Sequence, residues 1–427
     1  MDNKQSSIIK IVACGLALMA LFVSCRKEPI ELDNPNTTYC TSYVHQFQTV
    51  WEGIDHTYVL WERDTVDWDA RYAKFLPVFQ EFDAHGTDSA TYYKAWSDLT
   101  RGLLDHHMLL VLYNPNGGYK IMLRPASNSY SHATDWKAQT DALKSQPGIS
   151  EYVDYYDENN SFVNSIFCLL PGKNEGKYIA YFRFSEFSIS QMADSQFVGK
   201  EAVEAPFKAF YGNDYMKGVT NGAAARDDVE SIIIDLRGNP GGIISDITPA
   251  IGSLLQQQFH WGYSRHKQGL GRLDYSVWMR IDILCPENHL QQAKPMVVLA
   301  DINTVSCGEL STHTLKSQAN CTMIGERTYG GTCALVPNTD FSFDVFYTGC
   351  FGDQNLLSLL GTGKPTHPEY FEHYIYSGTY DVVTANYESL EGVGVQPDIE
   401  VKYDAAALKA GVDNQLNRAL EFLRTGN

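Results

Sequence analysis

The residues with the clearest capacity for chemistry lie in DINTVSCGELSTHTL (residues 301–315), directly after the apolar run PMVVLA. A strand that ends in a polar turn and runs into a helical stretch puts Ser306 and Cys307 side by side at a helix N-terminus. Free backbone N–H groups and the helix dipole favour negative charge there. Hydroxyl and thiol are both nucleophiles of acyl transfer, and cysteine is intrinsically the stronger. A second unit of the same build, VESIIIDLRGNPGG followed by IISDITPAIGSLL, ends its strand in a glycine-rich turn. A tetrahedral oxyanion needs two N–H donors aimed at one point, and glycine lets a chain approach that closely. Gly241 or Gly242 in one turn and the amide of Cys307 in the other are the candidate donors. Taken singly, neither turn is specific, because Gly-Gly after a strand is most often a tight turn and nothing more.

Together the motifs are specific. IIIDLRGNPGG resembles the signature of the tail-specific, or C-terminal processing, serine peptidases. PMVVLADINTVSCGELSTHTLK, followed by MIGERTYGGT, resembles their nucleophile strand, helix and next strand, and LEGVGVQPDIEV and DNQLNRALEFL continue in the family's order. The resemblance covers about residues 176 to 425 and the helical lead-in. It implies an α/β fold with a crotonase-like ββα core, a peptide or protein substrate, and no metal or organic cofactor. It also implies Ser306 as nucleophile, with Cys307 supplying an oxyanion-hole amide.

One position departs from the pattern. Bacterial processing peptidases carry a lysine general base in a TYGKG turn, whereas this chain reads TYGGT, with Gly331 in the lysine's place. A serine hydroxyl without a base is a poor nucleophile at neutral pH. The lysine-lacking branch of the family, which includes the tricorn core, uses serine, histidine and glutamate. LLDHHMLL (103–110) resembles that branch's L-x-D-G-H element, which implies His107 as base and Asp105 as its supporting aspartate. Glu391, opening EGVGVQPD, matches the glutamate of the relay. His106 stands where that element has glycine, so the two imidazoles are alternatives for the base. Read alone, His107 is a structural histidine and Glu391 a surface acid; their order with Ser306 points to a Ser-His-Glu relay. Asp235 and Arg237 read as braces of the glycine turn. Lys316 lies ten residues beyond Ser306, about 15 Å along the helix axis, and is out of reach.

The elements that must position these residues follow from periodicity. YVHQFQTVWEGIDHTYVLW and YYKAWSDLTRGLL carry apolar residues three and four apart, so residues 39–111 form a small helical N-terminal domain of three or four helices. LLVLY and YKIMLR flank an NPNGG turn and predict a hairpin. Residues 112–175 form a strand-rich connecting region that lacks the carboxylate-binding glycine loop of a PDZ domain. Residues 176–427 form the peptidase-like domain.

At the N-terminus, Lys4 and Lys10 precede IVACGLALMALFV, an apolar run of signal-peptide length, and LFVSC resembles a lipobox with Phe22 in the usual leucine position. Residues 1–24 are therefore expected to be a lipoprotein signal, Cys25 the lipidated residue and 26–38 a tether, with the protein held in the cell envelope. A net charge of −18 in 427 residues, with no basic run, argues against nucleic acid. Seven further cysteines show irregular spacing and no CxxC pair, so neither a disulfide framework nor zinc is indicated. The expected function is an exported serine peptidase. The alternatives are an inactive member binding a peptide or apolar ligand, as the retinoid-binding relatives do, and a surface adhesin or glycan binder.

Overall fold

The computed structural model describes residues 39–126, 130–156, 164–193, 200–269, 271–335, 350–352 and 367–426. The signal, Cys25 and tether lie outside these residues.

Three helices open the described chain: α1 (Tyr43–Thr57), α2 (Trp68–His85) and α3 (Ser89–Thr100). Each has a side-chain N-cap, from Ser42, Asp67 and Asp88, which satisfies a backbone donor the first turn leaves free. Their shared face is aromatic: Phe47 stacks on Phe79 at 4.7 Å and Trp51 on Trp68 at 5.9 Å. These rings pack rather than react. The chain then enters the hairpin β1 (Leu109–Asn114) and β2 (Tyr119–Leu123), as the NPNGG turn predicts.

The central sheet has seven strands, in the order β14-β10-β9-β6-β5-β4-β3. It uses β3 (Ser150–Tyr155), β4 (Ser165–Pro171), β5 (Tyr178–Phe184), β6 (Val229–Asp235), β9 (Met296–Ala300), β10 (Cys321–Gly325) and β14 (Ile399–Glu400). From β5 to β14 the pairs are parallel, whereas β3 and β4 add antiparallel strands. Strands β6 and β9 are buried almost throughout because helices cover both faces, which explains their unbroken IIID and MVVLA runs. Strands β3 and β4 belong to this sheet, so its first strands precede residue 176.

A four-stranded sheet, β11 (Cys350–Gly352), β12 (His373–Tyr376), β1 and β2, joins the helical region to the body. A third sheet orders β13 (Tyr380–Thr384), β7 (Phe259–His266) and β8 (Met279–Ile283). The remaining long helices are α4 (Trp136–Lys144), α5 (Lys200–Tyr211), α6 (Cys307–Lys316) and α7 (Asn414–Thr425). IISDITPAIGSLL departs from the single helix expected. It forms short helical turns at Ile244–Asp246, Ile247–Ala250 and Gly252–Leu254. Pro249 has no N–H to give, and Gly252 is pressed against the Leu284 carbonyl, 2.1 Å from where a Cβ would sit.

Asp235 and Arg237 brace the glycine turn. Arg237 forks onto both Asp235 oxygens (2.9 and 2.6 Å) and reaches Asp413 (2.9 Å) and Gln415 (3.1 Å), all buried. Burial opposes ionisation of Asp235, but the charges of Arg237 and Arg183 outweigh it and hold the carboxyl at about 2. Arg237→Ala strands two buried carboxylates and is expected to lower the unfolding free energy by about 3–5 kcal/mol, read by urea denaturation.

Candidate active site

Strands β6 and β9 are parallel neighbours, paired through Asp235 and Leu299, so the turns that leave their C-terminal ends lie together. Several bonds fix them. Val305 N–H donates to the Asn239 carbonyl (2.9 Å), Thr304 Oγ1 to the Leu236 carbonyl (2.8 Å), and Gly238 N–H to Asp301 Oδ1 (2.9 Å). In an open α/β sheet this carboxyl end is where sites form.

Ser306 caps α6 at φ 55°, ψ −120°, one of three non-glycine residues with positive φ among those described. Such a conformation costs on the order of 1–3 kcal/mol and persists only where its surroundings enforce it. Here the Ser306 N–H donates to the Gly331 carbonyl (3.0 Å) and to Glu309 Oε2 (3.2 Å). Glu309, wholly buried, also accepts from Thr328 Oγ1 (2.5 Å) and from the Gly330 and Gly331 amides (both 2.7 Å). Its carboxylate thus ties the TYGGT turn to the start of α6. The sequence holds a signal for this, since S-x-x-E at a helix start is the capping-box pattern.

Gly241 shows why the opposite turn needs glycine. Its φ is +103°, and a Cβ there would lie 2.6 Å from Ser306 Cβ and 2.9 Å from the Cys307 nitrogen. Of the two glycine amides considered as donors, Gly241 gives its own to Asn239 Oδ1 (2.9 Å). Gly242 is drawn into place by Phe187, which pairs with the chain on either side: Phe187 N–H to Gly241 O and Ile243 N–H to Phe187 O, both 2.7 Å. The Cys307 thiol points to the Gly242 carbonyl (3.1 Å), and burial pushes it up to about 12. A thiol so held is a packing group, not an attacker.

The histidines come from the loop between α3 and β1. Tyr58 anchors it, its hydroxyl accepting the amides of Leu104 (2.8 Å) and Asp105 (3.3 Å). Asp105 is buried; Oδ1 accepts the His107 amide (2.8 Å) and Oδ2 the Gly378 amide (2.7 Å). Glu391 is buried too, with Oε1 accepting the His106 amide (2.8 Å) and Oε2 the amides of Thr332 (2.7 Å) and Cys333 (2.8 Å). Glu391 therefore clips the histidine loop to the turn that contains Gly331. Against expectation for an isolated surface acid, it lies at the centre of the assembly.

The two rings differ. His106 Nδ1 is 2.8 Å from the Leu104 carbonyl, and the ring stands edge-on to Tyr329 at 5.4 Å. His107 has a buried Nδ1 without a hydrogen-bond partner, and its Cε1 lies 3.3 Å from where a Cβ on Gly331 would sit. Burial, helped by the charges of Arg124 and His106, depresses His107 from 6.5 to about 4, so the imidazole is neutral at physiological pH. Burial raises Asp105 to about 6 and, with the charge of Asp105, Glu391 to about 8. Two carboxyls this close titrate as a pair, and near neutrality they share one proton.

Donor atoms of Asp105, His107 and Glu391 all lie within 4.8 Å of one another, the spacing of a small divalent site. Every carboxylate oxygen of the set already accepts a backbone amide, however, so the cluster is organised around those amides. Lys316 is spoken for at the far end of α6 by Asp398 (2.7 Å). Cys168, Cys285, Cys307, Cys321 and Cys333 are free thiols.

A central, mostly parallel sheet behind a helical N-terminal region, with two turns meeting at neighbouring strand ends, makes this a mixed α/β protein of the class expected from the sequence. The model of peptidase family S41 matches residues 179–401, more than half of the chain, and the protein belongs to that family. It is 26% identical over 192 residues to the Tricorn protease of Thermoplasma volcanium, a match covering 45% of this chain and 14% of that one. The chain thus spans only a small part of that relative's length. In fold it is similar to a Parabacteroides merdae protein (TM-score 0.57, 17% identity, 90% of this chain and 98% of that one). It is likewise similar to mature CPAF complexed with lactacystin (TM-score 0.53, 10% identity, 90% and 98%).

Proposed function

We propose that the protein is a serine peptidase, lipid-anchored through Cys25 in the cell envelope, in which Ser306 attacks the peptide carbonyl and His107 takes its proton. The observation that carries this reading is the position of His107. Its Cε1 lies 3.3 Å from where a Cβ on Gly331 would sit, the position at which the family's lysine side chain would begin, and the Gly331 carbonyl holds the Ser306 amide. A neutral imidazole thus occupies the neighbourhood of the missing amine. Attack forms the bond from Ser306 Oγ to the carbonyl carbon and moves the hydroxyl proton to His107. The oxyanion is received by the amides of Gly242 and Cys307, since Gly241 has committed its own. Imidazolium then protonates the departing amine, and water releases the acyl group by the same steps. The charge shared by Asp105 and Glu391 favours the imidazolium as it forms.

Incubation with an unstructured polypeptide should generate new termini by mass spectrometry in the native protein and none in Ser306→Ala. Equal cleavage by the variant overturns the assignment. The absent lysine motivates a second reading, a binding protein on this fold, which predicts no new termini in either.

The pH dependence has a defined sign. Because the His107 value is depressed by folding, the stability it contributes is complete above 6.5 and is lost as pH falls through about 4. That loss is roughly 3 kcal/mol. Asp105 and Glu391 are raised, so their contribution is present at acid pH and is lost as pH rises through about 6 to 8. The two contributions oppose each other on the acid side, so the imidazole is isolated by difference: the Tm of the native protein relative to His107→Gln should be greatest above 6.5 and should shrink as pH falls through about 4.

A further inference from the structure

Residues 130–135 cross the C-terminal ends of β6, β9 and β10 and touch both turns of the site. Asn303 Nδ2 donates to the His132 carbonyl (2.9 Å) and to Thr134 Oγ1 (3.1 Å). Thr134 packs on Gly238, 2.5 Å from where a Cβ would sit. Beneath them lies Asp301, wholly buried, whose Oδ1 accepts the amides of Gly238 and Asn303, both at 2.9 Å. One carboxylate oxygen thus joins the turn after β6 to the turn after β9. Its other oxygen, Oδ2, is buried and accepts no hydrogen bond, and it faces His132 Nε2 at 4.0 Å. The same nitrogen is 2.9 Å from Glu326 Oε2, and the ring stacks on Tyr403 at 4.0 Å.

We propose that His132, as an imidazolium between Glu326 and Asp301, is a positioning residue that holds the glycine turn and the nucleophile turn in register. The inference rests on the hydrolase reading for its effect on turnover, but not for its effect on stability. The chemistry favours the charged ring: Nε2–H is accepted by Glu326, Nδ1 lies 3.3 Å from the Ala133 carbonyl, and one positive charge stands beside two carboxylates. The groups facing the ring are Glu326, Asp301, Tyr403 and Tyr130, whose hydroxyl donates to Glu326 at 2.7 Å. Arg237 acts on Asp301, Asp135 and Asp413 act on Tyr403, and Lys402 lies over the Tyr130 ring at 5.7 Å. Burial works against the imidazolium, but the bond to Glu326 and the charge of Asp301 outweigh it and hold His132 above its ordinary value. The clamp is therefore engaged below 6.5 and released as pH rises through the folded-state value.

The test compares the native protein with His132→Gln, which keeps a donor but cannot be charged, and with Glu326→Gln. Misplacement of catalytic groups by a distant change costs on the order of ten- to a hundredfold in kcat. His132→Gln should lose about that factor at pH 6 with KM little changed, and should lack the alkaline fall of kcat assigned to the clamp. Glu326→Gln should move that fall to lower pH. The Tm gap between native protein and His132→Gln should be widest at pH 6 and close toward pH 9. A variant with native kcat and a native alkaline limb, or a Tm gap that ignores pH, overturns the proposal. If the native protein cleaves nothing, the hydrolase reading fails, and the Tm gap alone then decides whether the clamp exists.

Discussion

Ser306→Ala is expected to lower kcat/KM for a cleaved peptide by on the order of 10⁴-fold or more, and His107→Gln by a similar factor. The two effects should not add. A hydroxyl and its base act as one unit, so the double variant should be about as slow as either single one. Stability should respond far less. The bonds that hold position 306 come from its backbone N–H, to Gly331 and Glu309, and alanine keeps that N–H. The unfolding free energy of Ser306→Ala should therefore stay within about 1 kcal/mol of native. Steady-state kinetics and urea denaturation on the same preparations check both halves. A variant that is inactive because it is unfolded would not support the assignment.

Glu391→Ala should have the largest effect on the fold among the site residues. The change leaves the amides of His106, Thr332 and Cys333 buried without an acceptor, and separates the histidine loop from the Gly331 turn. Loss of a buried, fully bonded carboxylate costs about 3–5 kcal/mol. Glu391→Gln is the informative partner, because it keeps one acceptor oxygen and removes the like charge beside Asp105. Its Tm should exceed that of Glu391→Ala throughout, and relative to native it should gain as pH rises through about 8. Its turnover should fall by about tenfold above pH 8, where the native Glu391 carboxylate adds its own charge beside the imidazolium, and by less near neutrality, where Asp105 keeps the single charge of the pair. Native turnover in Glu391→Gln would reduce Glu391 to a structural clip.

Local chemistry made the nucleophile region legible. β-Branched runs marked β6 and β9, the 301–306 turn marked the start of α6, and NPNGG marked the β1–β2 hairpin, because each depends on near neighbours in the chain. The Asp235–Arg237 brace was legible for the same reason. What adjacency could not disclose is the meeting of residues 105–107, 331–333 and 391. It depends on Glu391 accepting three amides from two distant segments. Family order named His107 and Glu391, but burial of the carboxyl pair and the contact of the His107 ring with Gly331 exist only after packing. Strands β3 and β4 were hard to read for another reason. SEYVDY lies at the sheet edge with mixed exposure and carries little hydrophobic alternation. The 130–135 strap left no sequence signal, because its contacts are to three separate strand ends.

The most direct measurement is the rate at which a fluorophosphonate labels Ser306 in the native protein, His107→Gln and His106→Gln. A hydroxyl activated by His107 should label in the native protein and in His106→Gln, and should lose nearly all reactivity in His107→Gln. Labelling of His107→Gln at the native rate, or no labelling of the native protein, would contradict the proposed relay.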